Sequence, residues 1–211
     1  MPSIDQTKLA GLTLKKGSHP DPDAGLCLME AVAYVRGIEH TDHPACVAPL
    51  LGEMGRSLND ALPDDLRQQL VDLIPVLPGT AGDGHDETRS YMALDWLIRV
   101  HLPAWLDLSP SCRADAAKVR DLGRIVDRAS AERAGPVVRQ AQVTAAAARD
   151  AARDAARAAA WDAAWDAAGD AARDAARDVL QPTVTQLQLS AIELFHQMTL
   201  VGRDEPAGVS R

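Results

Sequence analysis

Apolar residues along the chain recur at spacings of three and four, not two, and the runs they form are separated by proline, glycine and aspartate, which is the pattern of a series of amphipathic helices. The stretch "SHPDPDAG" supplies turn residues and aspartates suited to capping, and "LCLMEAVAYVRG" then predicts a helix stopped by Gly37. "VAPLLGEMGRSLND" predicts a second, with Pro44 in its first turn. "LPDDLRQQLVDLIPVLP" predicts a short third helix. Asp64 and Asp65 sit at its positive end, Leu66, Leu70 and Leu73 form its stripe, and Pro75 and Pro78 end it. After the loop "GTAGDGHDE", Tyr91, Leu94, Leu97, Ile98 and His101 recur at helical spacing until Pro103 kinks or restarts the chain. Ser109-Pro110 opens another helix through about Leu122.

The second half follows a different rule. Gly135-Pro136 marks the start of an alanine-rich helix that runs to about Leu180, where Gln181-Pro182 should break it, because a residue before proline is pushed out of the α region. A last helix carries Leu187, Ile192, Phe195 and Leu200, and the tail from Gly202 should fray. An unbroken helix of about 45 residues would extend roughly 67 Å. A compact domain of about 130 residues has a radius of gyration near 14 Å. The long helix therefore bends near Gly169, is covered by a second copy, or stands in solvent on alanine propensity.

Residues 156–178, "ARAAAWDAAWDAAGDAARDAARD", repeat every four residues. Four residues turn an α-helix by about 400°, so each repeat drifts about 40° around the axis. Asp162, Asp166, Asp170, Asp174 and Asp178 consequently spiral, whereas Trp161 and Trp165 share one face with alanines and form a ridge. Aspartate and arginine three apart, as at Asp150 and Arg153, add about 0.2–0.5 kcal/mol per pair. From Ala158 to Ala172 no basic residue is present. The functional reading of this stretch is an acidic aromatic patch, Trp161, Trp165, Asp162, Asp166 and Asp170, for a basic or cationic partner, with the tryptophans as contact anchors. The structural reading packs the tryptophans on the N-terminal helices or on Phe195 and leaves the aspartates solvated.

Composition narrows the class. Of 211 residues 46% are hydrophobic, much of that alanine, and only 3% are aromatic, which disfavours a β-sandwich or barrel. A formal charge of −8 argues against direct binding to nucleic acid or an anionic membrane, although an acidic surface is able to imitate nucleic acid. The N-terminus lacks the apolar core of a signal peptide, and no apolar run reaches the roughly 20 residues of a membrane span. Together with an odd count of three cysteines, Cys27, Cys46 and Cys112, this points to the cytoplasm.

Candidate chemistry gathers in "GLCLMEAVAYVRGIEHTDHPAC". Cys27, His40, His43 and Cys46 are residue types that ligate zinc, and Glu30 could serve such a site as general base. Their spacing fits no standard zinc module. The alternative is structural: Asp42 is an ordinary cap, Cys27 a small core residue and His101 a satisfied core histidine. No nucleophile elbow, P-loop or dinucleotide fingerprint occurs.

The blocks "DAGLCLMEAVAYVRG", "HTDHPAC", "LNDALPDDLRQQL" and "DWLIRVHLPAWLDL", followed by the "DAARDAAWDAAW" type of tail, resemble a group of uncharacterised actinobacterial and actinophage proteins, with the resemblance running from about Leu12 to Leu200. It implies a bacterial or phage origin and two halves that travel together, and it carries no catalytic residue. The expected fold is all-α: an irregular arm over 1–20, a helical domain over 21–130, the alanine-rich helix packed with a C-terminal amphipathic helix over 131–201, and a flexible tail over 202–211. The expected function is a non-catalytic interaction or scaffold protein without cofactor, self-associating or bound to a protein partner. Two alternatives are a zinc domain or zinc enzyme, and an acidic nucleic-acid mimic.

Overall fold

A computed structural model of the chain describes residues 4–160 and 167–203, with side chains given for those outside 155–177. Among the described residues the fold is all-α, with no strand. The helices are α1 (Gln6–Leu9), α2 (Leu28–Arg36), α3 (Pro49–Ala61), α4 (Asp64–Gln68), α5 (Asp86–Trp96), α6 (Leu102–Leu106), α7 (Arg113–Arg120), α8 (Arg128–Ala160) and α9 (Ala167–Leu200). No helix among these residues is long and apolar enough to cross a membrane. The chain divides into two compact units: residues up to Ser90 together with those from Leu189 onward, and Tyr91–Gln188.

The first unit is built around α2. Leu28, Met29, Ala31, Val32, Ala33 and Val35 are all buried, so this helix is enclosed on nearly every side. Its ends are specified locally. The Cys27 Sγ accepts the Glu30 N–H while the Glu30 carboxylate accepts the Cys27 N–H, and Gly37 closes the helix at φ 63°, a left-handed conformation that glycine takes without penalty. Gly55 of α3 lies so near α2 that an added Cβ would sit 2.7 Å from Met29 Cε and 3.2 Å from Phe195 Cζ. Leu70, Leu73, Ile74 and Leu77 close the core from the chain after α4, and Phe195 and Met198 close it from the end of α9.

Two expectations change here. Pro44 is not the helix-starting proline: Pro49 takes that place, because the free first-turn position falls after Ala48, whose N–H is held by Thr80 Oγ1 at 2.9 Å. The predicted third helix shortens to α4 and continues as a 3₁₀ run, Gln69–Val76, containing Pro75. The segment expected to be an irregular arm carries the short helix α1 and is tied down. Leu14 is buried, and its N–H and C=O both bond the Gln68 side-chain amide, at 2.9 and 3.0 Å.

In the second unit α5 continues through a π-helical stretch, Leu97–His101, into α6. Pro103 is the physical reason: its ring lacks an N–H and crowds the carbonyl four residues back, and widening the turn relieves both. Leu106, Cys112, Ala116, Val119 and Ala141 form the core, with Ile98, Leu102, Val137 and Ala145 against it. The small side chains of Ala116 and Ala141 suit close helix packing.

Helix α8 begins at Arg128, ahead of Gly135-Pro136. Asp127 accepts the Ser130 N–H at 2.7 Å, and Ser130 Oγ accepts the Asp127 N–H at 3.0 Å. This reciprocal cap is a stronger start signal than the proline, which lies inside the helix. Pro182 likewise does not break the chain: α9 runs through it for 34 residues. Proline in a helix interior costs about 3 kcal/mol, and burial of Leu187, Ala191, Leu194 and Phe195 further along offsets that cost. As expected from the sequence, the long helix α8 packs with the C-terminal helix.

Candidate functional site

The Cys and His cluster is centred on Glu30, which is 1% exposed although it carries a carboxylate. Its oxygens accept from the Cys27 N–H at 2.7 Å, the His19 N–H at 2.7 Å and His19 Nδ1 at 2.8 Å. Burial works to raise its pKa, but the donors outweigh it and hold the group below the usual carboxylate value. A carboxylate with its lone pairs so engaged is a structural anion, not a ready general base. Burial also pushes the Cys27 thiol up to about 12, so the free thiol stays protonated at neutral pH and is a poor nucleophile.

Of the zinc candidates, only Cys27 and His40 border Glu30. His40 Nε2 lies 2.8 Å from the His19 carbonyl oxygen and 3.9 Å from Glu30 Oε1. His43 points outward with 67% of its side chain exposed and its Nδ1 2.6 Å from Asp42. Cys46 is half-buried, and its carbonyl accepts from the Gly79 and Ala81 N–H groups. Among the described residues no three His, Cys, Asp or Glu side chains are grouped to hold a metal. His19 is the partner that the sequence did not reveal. It lies in a loop, at no fixed helical spacing from Glu30, and "SHPDPD" reads only as a turn.

A second polar centre in this unit also proves structural. Arg89 is fully buried. Its Nε donates to the Met198 carbonyl at 3.0 Å, its Nη1 to Asp83 Oδ1 at 2.8 Å, and its Nη2 to Asp83 Oδ2. Arg89 therefore clamps the 80–86 loop to the end of α9 and satisfies a carbonyl of the last helical turn. Its hydrogen bonds to Asp83 are the leading cause that holds that carboxyl below the usual range.

The second unit presents the opposite arrangement. Leu97, Val100, Trp105 and Leu108 are 48%, 40%, 37% and 38% exposed; by spacing Leu97, Val100 and Leu108 turn away from Ile98, Leu102 and Leu106, and Trp105 stands at the border between the two sets. Leu97, read from periodicity with the core stripe, belongs to this outer face, because the π-helical turn re-aims its neighbours. His101 is satisfied, but half-buried on this face and not in a core. Trp105 Nε1 donates to His101 Nε2 at 3.1 Å, and the Trp96 ring centroid lies 5.3 Å from that of His101. Burial lowers the His101 pKa, consistent with a neutral ring that accepts this bond. Beside these side chains a groove of about 320 Å³ is lined by Val100, Ala104 and Leu108 on one side and Thr183, Gln186 and Leu187 of α9 on the other. Arg99 with Asp95 and Arg120 with Asp107 form ion pairs along its margins.

Trp161, Trp165, Asp162 and Asp166 lie outside the described residues, and Asp170 is on α9 where only the backbone is described. Of the expected aspartate to arginine pairs, Asp150 with Arg153 is at 4.0 Å with both side chains mostly exposed, a geometry that contributes little. No protein-family model, curated protein or solved structure matches the chain.

Proposed function

We propose that the protein is a non-catalytic helical interaction protein, an accessory factor that holds another protein chain on the outer face of its second unit. The observation that carries this reading is the exposure of four large apolar side chains, Leu97, Val100, Trp105 and Leu108, each more than a third exposed, within twelve residues of one helical run. Exposed apolar side chains gathered on one helical run, with an aromatic among them and ion pairs beside them, have the anatomy of a protein interface. The π-helical turn at the same place adds support, since such turns recur at functional sites.

The chemistry elsewhere supports the non-catalytic part. Glu30 and Arg89, the most deeply buried charges, have their hydrogen-bonding capacity engaged within the chain. A zinc site on Cys27, His40, His43 and Cys46 draws less support, because His43 points outward and no three metal-ligating side chains are grouped among the described residues. The mimic reading rests on aspartates outside the described side chains.

A photo-crosslinking residue at position 100 tests the proposal, with Val143 of α8, equally apolar and more exposed, as control position. Irradiation in a bacterial lysate is expected to give a discrete adduct from position 100 and none from position 143. Equal smearing from both positions, or no adduct from either, would overturn it.

A further inference from the structure

We infer that the occupant of the Leu97 to Leu108 face is a second copy of this chain, joined through a two-fold, self-complementary interface. The inference rests on the reading of that face as a docking surface and names its partner.

Charge is the first argument. By sequence the first unit holds 17 acidic and 9 basic residues, whereas the second unit holds 13 of each. The whole formal charge of −8 therefore belongs to the first unit, and two copies meeting there would repel. Two copies meeting through the second unit carry no net charge into the contact. A strongly acidic or basic partner would be matched by a margin of one sign. Here each end of the apolar face carries a balanced pair, Asp95 with Arg99 and Asp107 with Arg120.

Shape is the second. A two-fold interface sets the same patch against itself, so whatever protrudes on it must find a depression on the same patch. Leu97 and Trp105 are exposed, and a groove runs beside them that is lined by Val100, Ala104, Leu108 and Leu187 and rimmed by the polar Arg99, Asp107, Arg120, Thr183 and Gln186. At about 320 Å³ the groove is at the small end for a ligand pocket, a size that suits an inserted side chain. In an antiparallel arrangement the Asp95 and Arg99 pair of one copy faces the Asp107 and Arg120 pair of the other, so each charge finds an opposite one.

Light scattering on the full chain as it elutes from a sizing column tests this. The wild type is expected at twice its 22.5 kDa chain mass when concentrated and at the single mass on dilution. Leu97→Glu with Leu108→Glu, and separately Leu97→Lys with Leu108→Lys, is expected to weaken the dimer on the order of tenfold or more, since like charges then face each other. Mixing the glutamate and lysine variants is expected to restore the doubled mass, which only a second copy on this face achieves. Because both positions are exposed, circular dichroism of each variant should match the wild type, and that check separates lost association from lost folding. A wild type that stays at the single mass throughout, or variants that dimerise as well as the wild type, would overturn the inference. If the wild type is monomeric while position 100 crosslinks a different protein, the second copy is excluded and the docking reading stands. If position 100 crosslinks nothing, both fall.

Discussion

The two units resolve local conflict in opposite ways. In the first, the two most deeply buried charges and a loop backbone have dedicated partners: Glu30 has His19 and Cys27, Arg89 has Asp83 and the Met198 carbonyl, and the loop backbone at Leu14 has the Gln68 amide. In the second, conflicts are left standing. Pro136 and Pro182 sit inside α8 and α9, a proline forces a π-helical turn, and four large apolar side chains face outward on one helical run. Polar groups satisfied within the chain make a stable body, whereas an apolar face without a cover invites one. The contrast separates what holds this protein together from the surface we propose for docking.

The contrast breaks most visibly at Arg89. Arg89→Met takes the guanidinium from the Met198 carbonyl and from the Asp83 carboxylate, which is 22% exposed and keeps the His85 N–H, so the expected loss is on the order of 3 kcal/mol. Urea unfolding followed by circular dichroism should show that loss; a change under about 1 kcal/mol would mean that the buried clamp is not structural. Pro182→Ala should act in the other direction. It returns a backbone N–H to α9 and is expected to raise stability by about 1–3 kcal/mol. A decrease in melting temperature would show that the chain needs a break there.

Acid sharpens the comparison further. The folded-state pKa of Glu30 is depressed from its ordinary 4.5, so its contribution is present above that value and is lost as pH falls through the folded value. The stability difference between wild type and Glu30→Gln should therefore be flat above about pH 5 and close on acidification. A gap that widened in acid would contradict the assignment of Glu30 as a hydrogen-bonded anion. The smallest effect belongs to the outer face: Leu97→Glu with Leu108→Glu should change the unfolding free energy of the dilute protein by less than about 0.5 kcal/mol.

Much of this architecture is written in the periodicity. The all-α class, the end of α2 at Gly37, the stripe at Leu70 and Leu73 and the turn at Ser109-Pro110 all follow from local signals that nothing later overrides. The helix boundaries that differ involve prolines. Pro136 and Pro182 are local obstacles, and the burial of Ala141, Leu187 and Phe195 by residues distant in sequence decides against them. The Glu30 and His19 contact joins a helix to a loop, and no spacing rule encodes it. Over residues 91–108 apolar side chains occupy two faces, and the sequence alone does not say which one the core takes. Ile98, Leu102 and Leu106 went in, Leu97, Val100 and Leu108 out, and the width of the turn before Pro103 set the choice.

The central claim is that the second unit, not the first, carries the contact surface. Hydroxyl-radical footprinting of the intact protein at low and high concentration measures this side chain by side chain, with Ile38, 39% exposed, as the apolar reference in the first unit. Protection of Leu97, Trp105 and Leu108 on concentration, with Ile38 unchanged, is the predicted result. Protection of Ile38 with the Leu97 to Leu108 face still fully labelled would contradict it.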